Sequence, residues 1–257
     1  MDFGYEGKVA VITGSSKGIG RKTAEQMVKL GAKVMLVARG EAGLKEAKEE
    51  ISRFGEVDYV VADVKEDAAA SQIIEQTVER FGRLDVLINN AGGSFAKPFE
   101  EVAVSDWEQD IDLKLMAAVR ISKAALPHLK KQGGAILNLT AVLGKTPPAS
   151  SLPTSVSRAA GMAMTKAMSK DLGKYSIRVN TVCIGLIRSE QIEERWKDEA
   201  PDLTWDEYSR LDKHNIPLGR IGDTEEAANV ITFLCSELAS YVSGDAVNID
   251  GGAGHAL

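Results

Sequence analysis

The chain lacks most of the residues that would announce metal, disulfide or membrane chemistry. Its 257 residues include only two cysteines, Cys183 and Cys235, and three histidines. Cysteines so far apart fit no zinc or redox spacing, so they read as buried free thiols and no metal site is expected. No apolar run approaches the roughly 20 residues of a membrane helix, so a membrane partner is not expected. Basic charge is also short: 31 lysines and arginines against 37 acidic residues leave a formal charge of -6. Such a surface gives nucleic acid and anionic membranes little to bind. The N-terminus shows no basic region followed by an apolar stretch and cleavage site, so the cytoplasm is the expected compartment. No internal repeat, low-complexity tract or linker divides the chain, and one domain over 1–257 is expected.

What is present is an alternation of short β-branched runs and long helical patterns. Val9 to Thr13 precedes a helix to Leu30; Lys33 to Val37 precedes Leu44 to Phe54; Val57 to Val61 precedes Ala68 to Phe81. The rhythm continues with Leu84 to Asn89, a helix from about Ser105 to Lys131, Ala135 to Leu139, a helix from about Ser157 to Tyr175, and Ile177 to Cys183. Strand-helix alternation with apolar residues on both strand faces predicts an α/β fold, a doubly wound parallel sheet covered on both sides. From about 186 to 215 the pattern turns polar, carrying Trp196, Trp205, Tyr208 and His214, and this stretch reads as a lid. A helix from about Thr224 to Ala239 and a strand Ala246 to Ile249 close the fold.

The first strand ends in Thr13-Gly14-Ser15-Ser16-Lys17-Gly18-Ile19-Gly20 and enters a helix directly. Glycines there let the backbone turn and approach a ligand, and a pyrophosphate can rest on the free N–H groups of the helix start. Further pieces come in order: Asp63 after the third strand, Asn89-Asn90-Ala91-Gly92 after the fourth, Asn180 through Gly185 after the sixth, then Ser243-Gly244 and Asp250-Gly251-Gly252. Together they cover nearly the whole chain, which resembles the short-chain dehydrogenase/reductase family with its Rossmann fold. The resemblance implies that Gly14, Ser16, Gly18, Ile19 and Gly20 hold the pyrophosphate, and that Asp63 and Val64 meet the adenine. It also implies that Asn90, Ala91 and Gly92 wall the nicotinamide ribose, and that Gly185 and Ile187 border the nicotinamide. Asp63 also suits a strand end or turn, and Asn90 suits a residue that ties strand ends together.

Choice of cofactor turns on the end of the second strand, where an acidic residue would bind the ribose 2′-hydroxyl. Ala38-Arg39 stands there, and Lys17 in the glycine loop adds a second cation. Two cations favour a 2′-phosphate, so NADP(H) is the expected cofactor. The alternative is two solvated surface charges, with Glu41 partly pairing Arg39.

The positions that carry proton transfer in the family align with other residues here. Thr154 stands at the tyrosine, Arg158 at the lysine, Ala141 at the serine with Thr140 just before it, and Lys114 at the asparagine in the register set by Trp107. Ile184 replaces the usual proline before Gly185. An aliphatic hydroxyl is too weak an acid to do what a tyrosine does, whereas an arginine can still orient the cofactor ribose. Three readings fit these residues. Lys114 stabilises a developing oxyanion, with Thr140, Thr154 and Ser155 as hydrogen-bonding residues; or hydride passes to a substrate that needs little acid help, such as an iminium ion or activated double bond; or the chain is a catalytically inactive NADP-binding sensor or regulatory subunit. Ile111, Leu115 and Ala118 predict a buried helical stripe with Lys114 on that side, although a lysine on a helix also suits a solvated or interface charge. Tyr208 and His214 of the lid are further candidate acids. The implied partners are a small-molecule substrate and other copies of the chain, as a homodimer or homotetramer through the helices after the fourth and fifth strands.

Overall fold

The computed structural model describes residues 2–256. Among them, strands form in chain order at β1 (Val9–Thr13), β2 (Lys33–Ala38), β3 (Val57–Val61), β4 (Val86–Asn89), β5 (Ala96–Lys97), β6 (Gly134–Ala141), β7 (Leu152–Pro153), β8 (Ile177–Ile184) and β9 (Ala246–Ile249). Seven of them make one parallel sheet in the order β3-β2-β1-β4-β6-β8-β9, while β5 and β7 form a small antiparallel pair. The strand order reverses between β1 and β4, and in an open α/β sheet that switch point opens a crevice at the strand C-termini.

The alternating side chains of β1 explain the two helical layers. Ala10 and Ile12 enter one apolar core, and Val11 enters the other. The first core is closed by α1 (Gly18–Lys29), α2 (Glu41–Ile51) and α9 (Thr224–Cys235) through Met27, Leu44, Ile51 and Ile231. The second is closed by α3 (Ala69–Phe81) and α5 (Ala117–Leu129), with α6 (Thr154–Leu172) packed at its edge. No helix among the described residues is long and apolar enough to cross a membrane.

The single helix expected from Ser105 to Lys131 is built differently. It consists of α4 (Val104–Ile111), a π-helical turn over Asp112–Met116, and then α5. The buried face carries Asp110, Lys114, Ala117 and Ala118, at ordinary helical spacing, while Ile111 and Leu115 on the neighbouring face are only half-buried. The predicted stripe is corrected accordingly. The polar segment at 186–215 is also largely helical, with α7 (Glu190–Glu199), α8 (Trp205–Ser209) and a short turn at Asp212–His214. Ser189 caps α7, and Thr204 with Glu207 forms a reciprocal cap on α8.

An aromatic cluster holds this segment together. Trp196 meets Trp205 edge-on at 5.7 Å between centroids, Arg188 lies 4.6 Å over Trp205, and Tyr208 stands edge-on to His214 at 4.9 Å. Tyr208 is fully buried and its hydroxyl has no hydrogen-bond partner. An unpaired buried hydroxyl costs about 1–3 kcal/mol. Tyr208→Phe is therefore expected to leave thermal stability unchanged or raised and to leave turnover intact; a loss of turnover in that variant would restore Tyr208 as a candidate acid.

Candidate active site

A cleft of about 1460 Å³ lies at the C-terminal ends of the central strands, bounded below by the glycine loop and above by α7. Gly14, Ser16, Lys17, Ile19, Arg39, Val64, Asn90, Ala91 and Gly92 border its cofactor end, and Thr154, Arg158, Gly185 and Ile187 border the other. The loop is shaped by close approach. A Cβ at Gly20 would stand 2.5 Å from the Gly14 carbonyl oxygen and 2.6 Å from the Asn90 amide nitrogen. Gly20 thus serves the cradle from beneath, packing α1 against the loop, while Gly14 bends it with φ +66°. Gly18 opens α1, at φ +60°, with free space where a side chain would be.

Asn90 ties the end of β4 to this loop, donating to the Thr13 and Gly14 carbonyls at 2.8 and 2.9 Å. Thr13, which sequence reasoning missed, accepts from the backbone N–H groups of Asn90 and Ala91, each at 3.0 Å. The Asp63 carboxylate accepts the Lys65 N–H at 3.0 Å, forming the turn after β3, and its neighbour Val64 borders the cleft. Lys17, which also borders the cleft, is ion-paired with Glu190 of α7. Glu41 pairs with Lys45 rather than Arg39. Arg39 therefore stands at the end of β2 with no carboxylate within 4.0 Å among the described residues.

Beneath the other end lies a buried polar network. Lys114 is ion-paired with Asp110, one turn earlier, and their side chains are 2% and 4% exposed. Lys114 Nζ also donates to Thr154 Oγ1 at 2.7 Å. Thr154 donates to the Phe95 carbonyl at 2.6 Å and accepts the Phe95 N–H at 3.0 Å, so the strand pair β5-β7 positions it. Ser157 donates to the second oxygen of Asp110 at 2.5 Å. Arg158 donates to the Leu139 carbonyl at 2.7 Å and keeps its Nε unpaired. Burial, joined by the charge of Arg158, pulls the Lys114 ammonium down to about 8 against the opposing pull of Asp110. Burial likewise lowers Arg158, with Asp110 acting the other way.

Thr140 lines the cleft, but its hydroxyl and the other expected acids are engaged within the fold. The Thr140 hydroxyl is turned into the sheet, against Thr181 Oγ1 at 3.0 Å and the Val182 carbonyl at 3.1 Å, so it is not offered to a substrate. Tyr208 and His214 are engaged with each other, His214 Nε2 lying 2.8 Å from the Tyr208 carbonyl. Lys114 itself sits beneath Thr154 and Arg158, which form the cleft surface. Asp110 was missed; its signal was a carboxylate four residues before a lysine. No group of three or more potential metal ligands is clustered among the described residues.

A glycine-cradled crevice at the switch point of a doubly wound sheet defines a dinucleotide-binding protein of the Rossmann class. Residues 14–254 match the family model described as Enoyl-(Acyl carrier protein) reductase. The chain is 31% identical to 3-oxoacyl-(acyl-carrier-protein) reductase FabG of Aquifex aeolicus, over 98% of this chain and 99% of that one. Its fold matches L-sorbose reductase from Gluconobacter frateurii, solved with NADPH and L-sorbose, at TM-score 0.95 and 35% identity over 100% of both chains. It also matches a short chain oxidoreductase from Pseudomonas aeruginosa described as containing an atypical catalytic center, at TM-score 0.95 and 30% identity over 99% and 100% of the chains. The chain belongs to the short-chain dehydrogenase/reductase family.

Proposed function

We propose that the chain is an NADP(H)-dependent oxidoreductase that transfers hydride to or from a small carbonyl, imine or activated double-bond substrate without a catalytic tyrosine. The observation that carries this reading is the pairing of a glycine-built dinucleotide cradle with Arg158 in the wall at the far end of the same cleft and the buried Lys114–Asp110 pair behind it. A site with one net positive charge in a low-dielectric setting stabilises the negative oxygen that forms when hydride reaches a carbonyl carbon. NADPH, when bound, supplies that hydride from its nicotinamide ring.

The residues divide the remaining work. Gly14, Gly18 and Gly20 shape the loop, whose backbone N–H groups and helix dipole suit a pyrophosphate. Arg39, free of carboxylates, suits a 2′-phosphate. Arg158 suits the nicotinamide ribose, and Thr154 stands in the cleft wall with its hydroxyl held by Lys114 and Phe95. The NADPH complex of L-sorbose reductase supports the cofactor. An apolar hollow of about 300 Å³ between α5 and α6, with Val119, Leu126, Met164 and Met168 on its walls, supports self-association through those helices as a homodimer or homotetramer.

Fluorescence titration with NADPH and NADH tests the cofactor half. NADPH is expected to bind more tightly, and Arg39→Ala is expected to weaken NADPH roughly 10- to 100-fold while leaving NADH unaffected, as loss of a charge-assisted contact would. Equal binding of the two dinucleotides, or of neither, would overturn the assignment.

A further inference from the structure

Asp110 has no part in the cradle or the cleft wall, yet it is the most committed carboxylate near the site. One of its oxygens pairs with Lys114 and the other accepts from Ser157 at 2.5 Å, all within the interior. Ion pairs four residues apart are ordinary on helix surfaces and contribute little there. A buried pair is different: desolvation makes it a poor device for stability, and apolar residues of similar volume would serve the fold as well or better. The four-residue spacing sets Lys114, within the π turn at Asp112–Met116, on the same buried face as Asp110. From there the ammonium donates to the hydroxyl of Thr154, a residue of the cleft wall.

Resting on the hydride-transfer reading, we propose that Asp110 is a positioning residue for proton delivery. It keeps Lys114 cationic and aims it at Thr154, so that Lys114 supplies the substrate's proton through the Thr154 hydroxyl. In the reducing direction, hydride brings an electron pair to the carbonyl carbon and the π pair moves onto the oxygen. That oxygen takes the Thr154 hydrogen, which has turned from the Phe95 carbonyl toward the cleft. Thr154 takes a hydrogen from Lys114, and the N–H electron pair stays on the nitrogen as a neutral amine. Water restores the ammonium after product leaves, and Asp110 remains a carboxylate throughout. The charged groups facing Lys114 are Asp110 from α4 and Arg158 from α6, with the Thr154 hydroxyl between it and the cleft. Without Asp110 two cations would share the interior with no counter-charge, and Lys114 would lose its proton. The depressed lysine, near 8, has the proton affinity a donor needs around neutrality.

The test tracks the lysine-Cε resonance of Lys114 in isotope-labelled protein, assigned by its loss in Lys114→Arg, together with the pH profile of kcat. In Asp110→Asn, which keeps the shape and removes the charge, the Lys114 midpoint and the alkaline limb of kcat are both expected to move down by about 1–3 units. KM and NADPH affinity stay unchanged. In Asp110→Glu, which keeps the charge and displaces it, the midpoint is expected to remain near wild type while kcat falls roughly tenfold or more. This second variant carries the test if the first does not fold. An unmoved midpoint and limb in Asp110→Asn, or wild-type kcat in Asp110→Glu, overturns the proposal. Failure of the hydride-transfer reading looks different: the wild type then oxidises NADPH with no substrate, while the resonance still reports whether Asp110 holds the Lys114 proton.

Discussion

Lys114→Ala is expected to lose turnover by about 10²–10⁴-fold and stability by about 3–5 kcal/mol at once. The first loss comes from removing the cation behind Thr154, and the second from leaving Asp110 charged in the interior with only the neutral hydroxyls of Ser157 and Thr154 near it. The two effects separate in the double variant Lys114→Met with Asp110→Leu. Replacing both charges with apolar groups recovers stability, because no charge is then stranded, but does not recover turnover. Denaturant melts and NADPH oxidation on the same preparations check this.

The pH dependence carries a definite sign. Folding lowers the Lys114 ammonium from its ordinary value of 10.5 to about 8, so between those values the unfolded chain binds more protons than the folded one. The stability contribution of this group therefore rises as pH climbs through that window and is least below pH 8. Lys114→Ala should lack the rise. Activity runs the other way: reduction needs the protonated amine and should decline as pH passes about 8.

Gly20→Ala is expected to be the most damaging small change at the cofactor end. The added methyl carbon meets the Gly14 carbonyl at 2.5 Å, the Asn90 amide at 2.6 Å and the Ser15 Cα at 3.0 Å. Two of these neighbours are backbone atoms, and the Asn90 amide is already held by its bonds to Thr13 and Gly14. None can move aside cheaply, so α1 must shift away from the loop at a cost of about 1–3 kcal/mol. The N–H groups that would meet a pyrophosphate move with it, and NADPH affinity is expected to fall by roughly two orders of magnitude or more. Gly173→Ala is the matched control. Its φ is -54° and nothing lies within 4 Å of the new carbon, so binding and stability should remain near wild type.

The sheet was legible because its strands are apolar on both faces and separated by helices, a pattern that parallel pairing alone satisfies. The glycine loop was legible because its residues are chosen by backbone geometry, which glycine reveals directly. Inference weakened where a side chain's surroundings depend on tertiary packing. Ile111 and Leu115 appeared buried because apolar residues at helical spacing usually mark the core, whereas the buried face is the adjacent one that carries the charged Asp110 and Lys114. Asp110 was therefore overlooked although its spacing from Lys114 was in view. Thr140 obeys a similar logic, since only the pairing of β6 with β8 shows its hydroxyl committed to Thr181 and Val182. In the segment at 186–215, the Thr204 to Glu207 capping box marked the start of α8, but an unbroken polar composition obscured it.

The central claim is hydride transfer by a site that uses Lys114, Thr154 and Arg158 in place of a tyrosine. The most direct measurement incubates the protein with NADPH carrying deuterium at the transferable position and a panel of ketones, imines and activated alkenes, then reads the products by mass spectrometry. The account predicts one deuterium on the reduced carbon of at least one product, with the signal lost in Lys114→Ala. Tight NADPH binding with no deuterated product anywhere in the panel would contradict it and leave the chain a cofactor-binding protein.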